Sequence, residues 1–468
     1  MQFYIIFNIF LELIKQLTQA NNTIKLLKNE LKELKETVNK DSSNSSKPPS
    51  TDNYFNKKKD IKKNNNKNRS RGGQKGNTSN NLKKVNNPDK IEILQIDNCL
   101  NCNSNLENVE AKSISKKQVF DIPKIKIEVT EFQQHNKVCP CCNIINKPKF
   151  PKNITSYVQY GDNIKTFVAY LNTYQMIPYA RISELMKDFT SHSISSGTIY
   201  NMLESFYEKL EPYEKNVKNL LINSNVVNVD ETGAKVKNKL HWIHTVSTSS
   251  LTYYMIHEKR GAEAIDFMGI LPEFNGVAVH DHWASYNKYD CLHSYCNAHH
   301  LRELVGVIAN EKVFWAKDMH KLLTDMNNYF YKLKEKGQLI PSKEEINQFF
   351  KKYDYICQEA LEIYPPPSKK REKQSKSKNL LDRFIKYKYE ILRFFTNPLV
   401  PFTNNLAERD LRMIKVKEKI SGCFASLKGA HIFNRIRGYI STVKKNNKSV
   451  LEELKNVLNG KFYIPILV

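Results

Sequence analysis

The sequence predicts a multidomain α+β protein: an α/β core with a helical insertion, preceded by a coiled coil, a small metal-binding module and a helical region. Three observations predict it. Apolar residues repeat in heptads near the start, two CxxC pairs sit in the first third, and β-rich runs begin at residue 223 and give way to helices.

The heptad comes first. Phe10, Leu17, Ile24, Leu31 and Val38 recur every seven residues, and Leu13, Ala20, Leu27 and Leu34 fill the other seam position. Lys and Glu stand between them, which is the pattern of a coiled coil and hence of self-association, giving a domain over 1–40. A single amphipathic helix packed on its own domain is the plainer alternative. Residues 41–90 contain DSSNSSKPPSTDN and a Lys/Asn-rich run with almost no apolar side chains. Such a segment cannot bury a core and reads as a flexible basic linker able to neutralise phosphates without reading sequence.

Residues 91–150 hold the pairs Cys99/Cys102 and Cys139/Cys142, separated by the β-like stretch KQVFDIPKIKIEVTEFQQH. Two knuckles joined by a strand pair describe a zinc ribbon, in which four thiolates satisfy tetrahedral Zn²⁺ and the metal supplies folding energy. Cys141 is a spare that competes with Cys142, and the spacing favours Cys142. Residues 151–222 read as helices. ISELMKDFTSHSISSGTIYNMLESFYEKL gives a helix, a Ser-rich turn and a second helix starting near Ser195–Gly197, either a helix-turn-helix or an ordinary helical hairpin.

From 223 the period changes. Strands are expected at 225–230, 240–248 and 251–258, then a helix at AEAIDFMGIL, a strand ending on Asp281 and a fifth short strand, HSYC, running into HLRELVGVIA. Three antiparallel strands, a helix, a strand, a helix and a strand are the order of a ribonuclease H-like α/β core, with its first part over 223–310. A helical insertion is expected over 311–395, broken by the basic loop PPPSKKREKQSKSKN. The second core part, 396–468, contains a helix beginning at Asn404 or Asn405 as cap.

In that fold Asp230 ends the first strand, Asp281 ends the neighbouring fourth, and Glu408 on the late helix can reach the same edge. Three converging carboxylates suit two Mg²⁺ (or Mn²⁺) ions, which can activate an attacking hydroxyl and stabilise a leaving oxygen at a phosphodiester. A lone Asp at a strand end is more often a turn former, so the weight rests on the three together. On the Glu408 helix, Arg412, Lys415 and Lys419 share the acid's face and are candidates to hold DNA phosphates, while Leu406, Met413, Val416 and Ile420 are expected to pack; a surface salt-bridge ladder is the alternative. Cys296 and His299 have CxxH spacing, which invites a zinc reading, but no second ligand pair is near in sequence, so His299 reads as packing near the site or touching DNA, with a buried structural histidine as the plainer alternative.

The 73 Lys plus Arg against 48 Asp plus Glu give a formal charge of +25, which favours a polyanionic partner, double-stranded DNA most simply. A Lys/Asn-rich composition also follows from an AT-rich coding sequence. Nine cysteines without a secreted framework fit a reducing interior. The opening apolar run is too short to span a bilayer. A cytoplasmic, nucleoid-associated protein without membrane contact is expected.

These blocks together resemble the transposases of the insertion sequence 66 family, bacterial DDE transposases. NSSKPPS after the heptad and RGGQKGNT are similar to that family's N-terminal elements, and the paired CxxC motifs to its zinc-binding domain. VDETG, HDHWASY, CNAHHLREL, TNNLAERDLRMIKVKEKISGCF and IRGYISTVKK match its catalytic blocks. The resemblance implies Asp230, Asp281 and Glu408 as a catalytic triad, strand cleavage and transfer at terminal inverted repeats, and help from accessory proteins of the element. MQFYIIFNIF lacks the longer polar lead such relatives imply, so a truncated N-terminus is expected. A domesticated or inactive DNA-binding protein and a purely hydrolytic nuclease are the competing functions.

Overall fold

The computed structural model describes residues 14–28, 30–31, 34, 82–311, 313–364 and 374–466. Phe10, Leu13, Val38, residues 41–81 of the linker and 365–373 of the basic loop lie outside the described residues. Helix α1, residues 14–28, carries its seam exposed: Leu17, Ile24 and Leu27 all face solvent. Among the described residues no helix is long and apolar enough to cross a membrane.

The chain forms two compact units: Asp188–His192 join the segment ending at Glu131, and Phe132–Lys187 and Ser193–Val468 belong to the larger one. In the smaller unit the side-chain amide of Gln118 clasps Val85, donating to its carbonyl at 2.8 Å and accepting from its N–H at 2.9 Å. The expected strand pair between the CxxC motifs does not form: residues 107–136 contain no strand. Their alternating pattern has no buried face to satisfy, with Val119, Ile122 and Val129 all more than three-quarters exposed, and alternation without a neighbouring strand does not make a sheet.

From Phe132 the larger unit continues with a short hairpin, β1 (Lys137–Val138) against β2 (Ile145–Asn146). Helices follow: α2 (Asp162–Ala169), α3 (Tyr179–Thr190), α4 (Ser196–Lys209) and α5 (Glu211–Ile222). The α4 start matches the expectation, because the Ser195 hydroxyl accepts from the Thr198 N–H and caps it.

Five strands make the central sheet: β3 (Val226–Val236), β4 (Lys239–Ser247), β5 (Thr252–His257), β6 (Val277–His280) and β7 (Leu292–Tyr295). Helix α6 (Ala262–Met268) lies between β5 and β6. Their order is β5-β4-β3-β6-β7. The first three are antiparallel, and β6 and β7 add in parallel beside β3. Gly276 permits the close approach of β6 to β3, since a Cβ there would sit 2.5 Å from the Asn225 carbonyl oxygen.

Beyond β7 the helices are α7 (Asn297–Glu311), α8 (Phe314–Glu335), α9 (Lys343–Glu362), α10 (Lys376–Lys386), α11 (Lys388–Thr396), α12 (Asn405–Ser421), α13 (Leu427–Lys445) and α14 (Val450–Leu458). The described part of the expected helical insertion is accordingly made of helices joined by short turns. Its core is continuous with the sheet: Met319, Leu323, Phe384 and Phe395 pack in one cluster with Val277, Val279 and Tyr295. A second cluster joins Ala234, Val236, Ile243, Tyr254 and Ile256 of β3–β5 to Leu411 and Ile414 of α12 and Phe433 of α13.

Candidate active site

The apolar run VVNV suggested a strand ending on Asp230. Instead β3 runs on to Val236, with Asp230 in its middle. It is paired with β4 along nearly its whole length, Asp230 standing opposite Thr245. Its pairing with β6 stops earlier. Val226, Val227 and Asn228 face Val277, Ala278 and Val279, so each partner lies 51 positions further along. That register, carried forward, brings Asp281 level with Asp230. Side chains alternate along a strand, so Asp230 shares the face of Ala234 and Val236, the face covered by α12. Asp281 follows the last residue of β6, and its carboxylate accepts from the Trp283 N–H at 3.1 Å, a local turn that fixes its direction.

Past Asn228 the edge of β3 vacated by β6 is taken by α12 and the segment after it. The Lys235 N–H donates to Glu418 at 3.0 Å, and Phe424 exchanges backbone bonds with Lys235 and Lys237. Glu408 lies in the first turn of this helix. Asn404 is the N-cap by position, yet its side chain does not cap the helix. It is buried, donates to the Val229 carbonyl at 2.8 Å and accepts from the Asn228 amide at 2.9 Å. Its own N–H donates to the Cys296 sulfur at 3.1 Å, and its carbonyl accepts from the Glu408 N–H at 3.3 Å. One asparagine thus joins the start of α12, the middle of β3 and the turn after β7.

The packing face of α12 also differs from expectation. Ala407, Asp410, Leu411 and Ile414 are buried, with Met413 and Val416 beside them, while Leu406 is only half-buried and Ile420 is exposed. The helix sits rotated because Asp410 anchors it: Lys445 of α13 pairs with Asp410 at 2.7 Å, Ser441 and Thr252 donate to its carboxylate, and the Tyr254 hydroxyl donates to its carbonyl at 2.8 Å. Of the expected phosphate-holding row, Arg412 and Lys419 are exposed. Lys415 is engaged with the Gly233 carbonyl and with Glu418 at 2.9 Å, so it ties the helix to β3.

A fourth acid, Glu231, adjoins Asp230. Both its oxygens are taken. Arg260 donates to Glu231 through Nε at 2.8 Å and through Nη2 at 2.6 Å, and the Tyr286 hydroxyl donates to its other oxygen. The guanidinium lies between the rings of Trp242, 4.8 Å away, and Trp283, 4.4 Å away. Sequence reasoning missed this clamp; the adjacent acid in VDETG and the aromatics of HDHWASY were its signal. Asp230 is raised well above the usual carboxylate range by burial, then by the charges of Glu231, Asp281 and Glu408. Asp281 is pushed up to about 7 by burial and by Glu231, with Glu408 adding to it and Arg260 opposing. Burial and the neighbouring acids thus hold both aspartates above the ordinary carboxylate range, in a shielded place beside Glu408.

Cys296 and His299 lie beside Glu408. One ligand atom from each of the three falls within 4.8 Å of the others. Burial holds the Cys296 thiol up at about 11 and the His299 imidazole down at about 4. The CxxH spacing offered two members of this cluster; its third comes from a helix more than a hundred residues further on.

The two CxxC motifs, each taken alone, have the same backbone. Cys99 donates to Ser104 and accepts from Asn103, and Cys139 donates to Ile144 and accepts from Asn143, all at 2.9 Å. Asn103 and Asn143 both adopt φ near +60°, a left-handed turn that asparagine tolerates. The Ser104 hydroxyl lowers Cys102 to about 7, and the backbone N–H groups of Cys142 and Cys141 lower Cys139. Thiols poised toward thiolate at the tips of such turns fit Zn²⁺.

The transposase IS66 family matches residues 157–432, more than half of the chain and the whole of the sheet and site. The chain belongs to the IS66 transposase family. The zinc-finger binding domain of transposase IS66 matches residues 97–143, across both CxxC motifs, which points to Zn²⁺. A family of unknown function matches residues 11–83. No curated protein matches the chain. Membership implies a DNA transposase with DNA as its partner and strand-cutting chemistry.

Proposed function

We propose that this IS66 transposase cleaves and joins DNA strands at Asp230, Asp281 and Glu408, carried on a ribonuclease H-like core that holds divalent Mg²⁺ or Mn²⁺. The observation that supports the reading is the β3–β6 register, which ends two residues short of both aspartates and extrapolates to them, together with Asn404, which ties the start of the Glu408 helix to the same strand. The sheet order and its antiparallel-then-parallel pattern support the fold.

The donor set is all oxygen, which suits a hard cation. Bound there, such ions supply an activated attacking oxygen and a stabilised leaving oxygen. The chain's own residues do the rest. Asp230 offers a carboxylate on a rigid ladder. Asp281 is aimed by its turn with Trp283. The oxygens of Glu231 are taken by Arg260 and Tyr286, so it does not compete for a cation. The exposed Arg412 and Lys419 extend from the Glu408 face and attract phosphates. Cys99, Cys102, Cys139 and Cys142 hold Zn²⁺ in the finger, and the α3–α4 pair joins the finger in binding terminal inverted repeats. The exposed α1 seam pairs with a second copy as a coiled coil. Accessory proteins of the element complete the machinery, and the enzyme works at the nucleoid.

The test is strand transfer with labelled duplex carrying the element's ends, a target plasmid, and Mg²⁺ or Ca²⁺. Joined product with Mg²⁺ alone, absent in Asp281→Asn and Glu408→Gln, is the expected result. Equal product from both variants would sink the assignment.

A further inference from the structure

We propose that Cys296, His299 and Glu408 form a second cation site, for a borderline-soft divalent ion of the Zn²⁺ class, sharing Glu408 with the carboxylate site. The three residues come from the turn after β7, the first turn of α7 and the first turn of α12, with ligand atoms mutually within 4.8 Å. His299 Nδ1 and Glu408 Oε1 face each other at 4.0 Å. Both atoms are shielded from solvent and neither has a hydrogen-bond partner. Two buried polar atoms left unsatisfied side by side carry a cost that a shared ligand removes.

The third donor is prepared for the same role. The Cys296 sulfur already accepts the Asn404 N–H at 3.1 Å. Bonds of this kind orient ligands and tune their donor strength in metal centres. A cysteine serving only as a small apolar side chain would explain its burial, but not the two unpartnered atoms beside it. Sulfur, imidazole and one carboxylate together select Zn²⁺ over Mg²⁺, which takes oxygen ligands. Three protein ligands leave a fourth tetrahedral position for water or a DNA oxygen.

The binding stands without the catalytic reading. Its consequence rests on that reading: Glu408 cannot serve both sites fully, so Zn²⁺ held by Cys296 and His299 draws it from the aspartates and slows strand cleavage.

The experiment counts zinc in the full-length protein after loading with Zn²⁺ and exhaustive dialysis, by elemental analysis. Wild type is expected to retain about one equivalent more than Cys296→Ser and than Glu408→Gln. Glu408 is partly exposed, so its variant keeps the fold even if the cysteine variant does not, and melting curves check both. Asp281→Asn touches only the carboxylate site and keeps the extra equivalent; its loss there would mean that zinc sits among the aspartates and would overturn the proposal. An unchanged count in both Cys296→Ser and Glu408→Gln would overturn it as well. In strand-transfer reactions with Mg²⁺ present, the Zn²⁺ concentration for half-inhibition is expected to rise at least about tenfold in His299→Ala. An unshifted inhibition curve with the count lowered would retain the site and refute its regulatory consequence.

Discussion

Replacing Asn404 by Ala tests whether the start of α12 is positioned by β3. The side chain makes two buried hydrogen bonds, to the Val229 carbonyl and from the Asn228 amide. Both partners are shielded, so each loses a bond that water cannot restore. At about 1–3 kcal/mol for each group left unsatisfied, the loss is about 3 kcal/mol, the lower part of the combined range because the chain relaxes. For a unit of this size that lowers the melting temperature by roughly 5–10 °C. The backbone bonds of Asn404 to Cys296 and Glu408 survive the change, so the helix still forms. Its first turn is then free to shift against β3. A displacement of about 1 Å at a reacting group costs on the order of a hundredfold in rate. Single-turnover cleavage at saturating protein, well below the melting temperature, should therefore fall about a hundredfold while affinity for end DNA holds. A rate reduced only by the fraction unfolded would refute the positioning argument.

Other outcomes follow from the same geometry. Arg260→Ala should lower stability by about 2–4 kcal/mol, less than for a fully buried pair because the arginine side chain is 41% exposed while Glu231 is buried; Lys at this position should restore only part of it, lacking the fork and the stacking between Trp242 and Trp283, and equal melting of Lys and wild type would contradict this. Mg²⁺ should stabilise the protein more above pH 7 than well below it. Asp281 moves from 3.8 to about 7 on folding, so the metal-free folded state holds a proton that the unfolded chain has released, and stability falls as pH rises through that window. Cations compete with that proton, and a melting shift by Mg²⁺ independent of pH would refute the carboxylate site. Ile24→Asp with Leu27→Asp, on the exposed seam of α1, should reduce the mass seen by light scattering to that of one chain; an unchanged oligomer would place self-association elsewhere.

Much of the fold was legible because its signals are local. The apolar runs gave the strands in order, Ser195 marked the start of α4, and CxxC spacing marked both knuckles. The length of β3 was not legible. ETGAKV looks like a strand leaving the sheet, with a glycine and charges, and it stays because β4 pairs along it while Glu418 and Phe424 occupy its other edge. Tertiary partners outweighed local propensity there. The rotation of α12 was hidden for a related reason. A helical wheel ranks Asp410 as polar and outward-facing, whereas Lys445, Ser441 and Thr252 supply partners that make its burial favourable. Asn404 looked like a helix cap, and only the arrival of β3 beside it reveals its other role.

The three carboxylates are held with unequal firmness, and the inequality has consequences for control. Asp230 sits inside a ladder with backbone pairing continuing on both sides of it, so its position is set by the sheet. Glu408 is set at one remove, by a helix whose first turn is fixed through Asn404. Asp281 has left its strand. Its position depends on one turn bond to Trp283 and on the packing of that indole against Arg260, which is itself held by Glu231. Glu231 therefore does more than raise its neighbours: through Arg260 and Trp283 it couples the rigid strand to Asp281, the least firmly held of the three proposed ligands. Any partner that draws Arg260 away, a phosphate being the natural competitor for a guanidinium 41% exposed, would loosen Asp281 first and leave Asp230 and Glu408 in place.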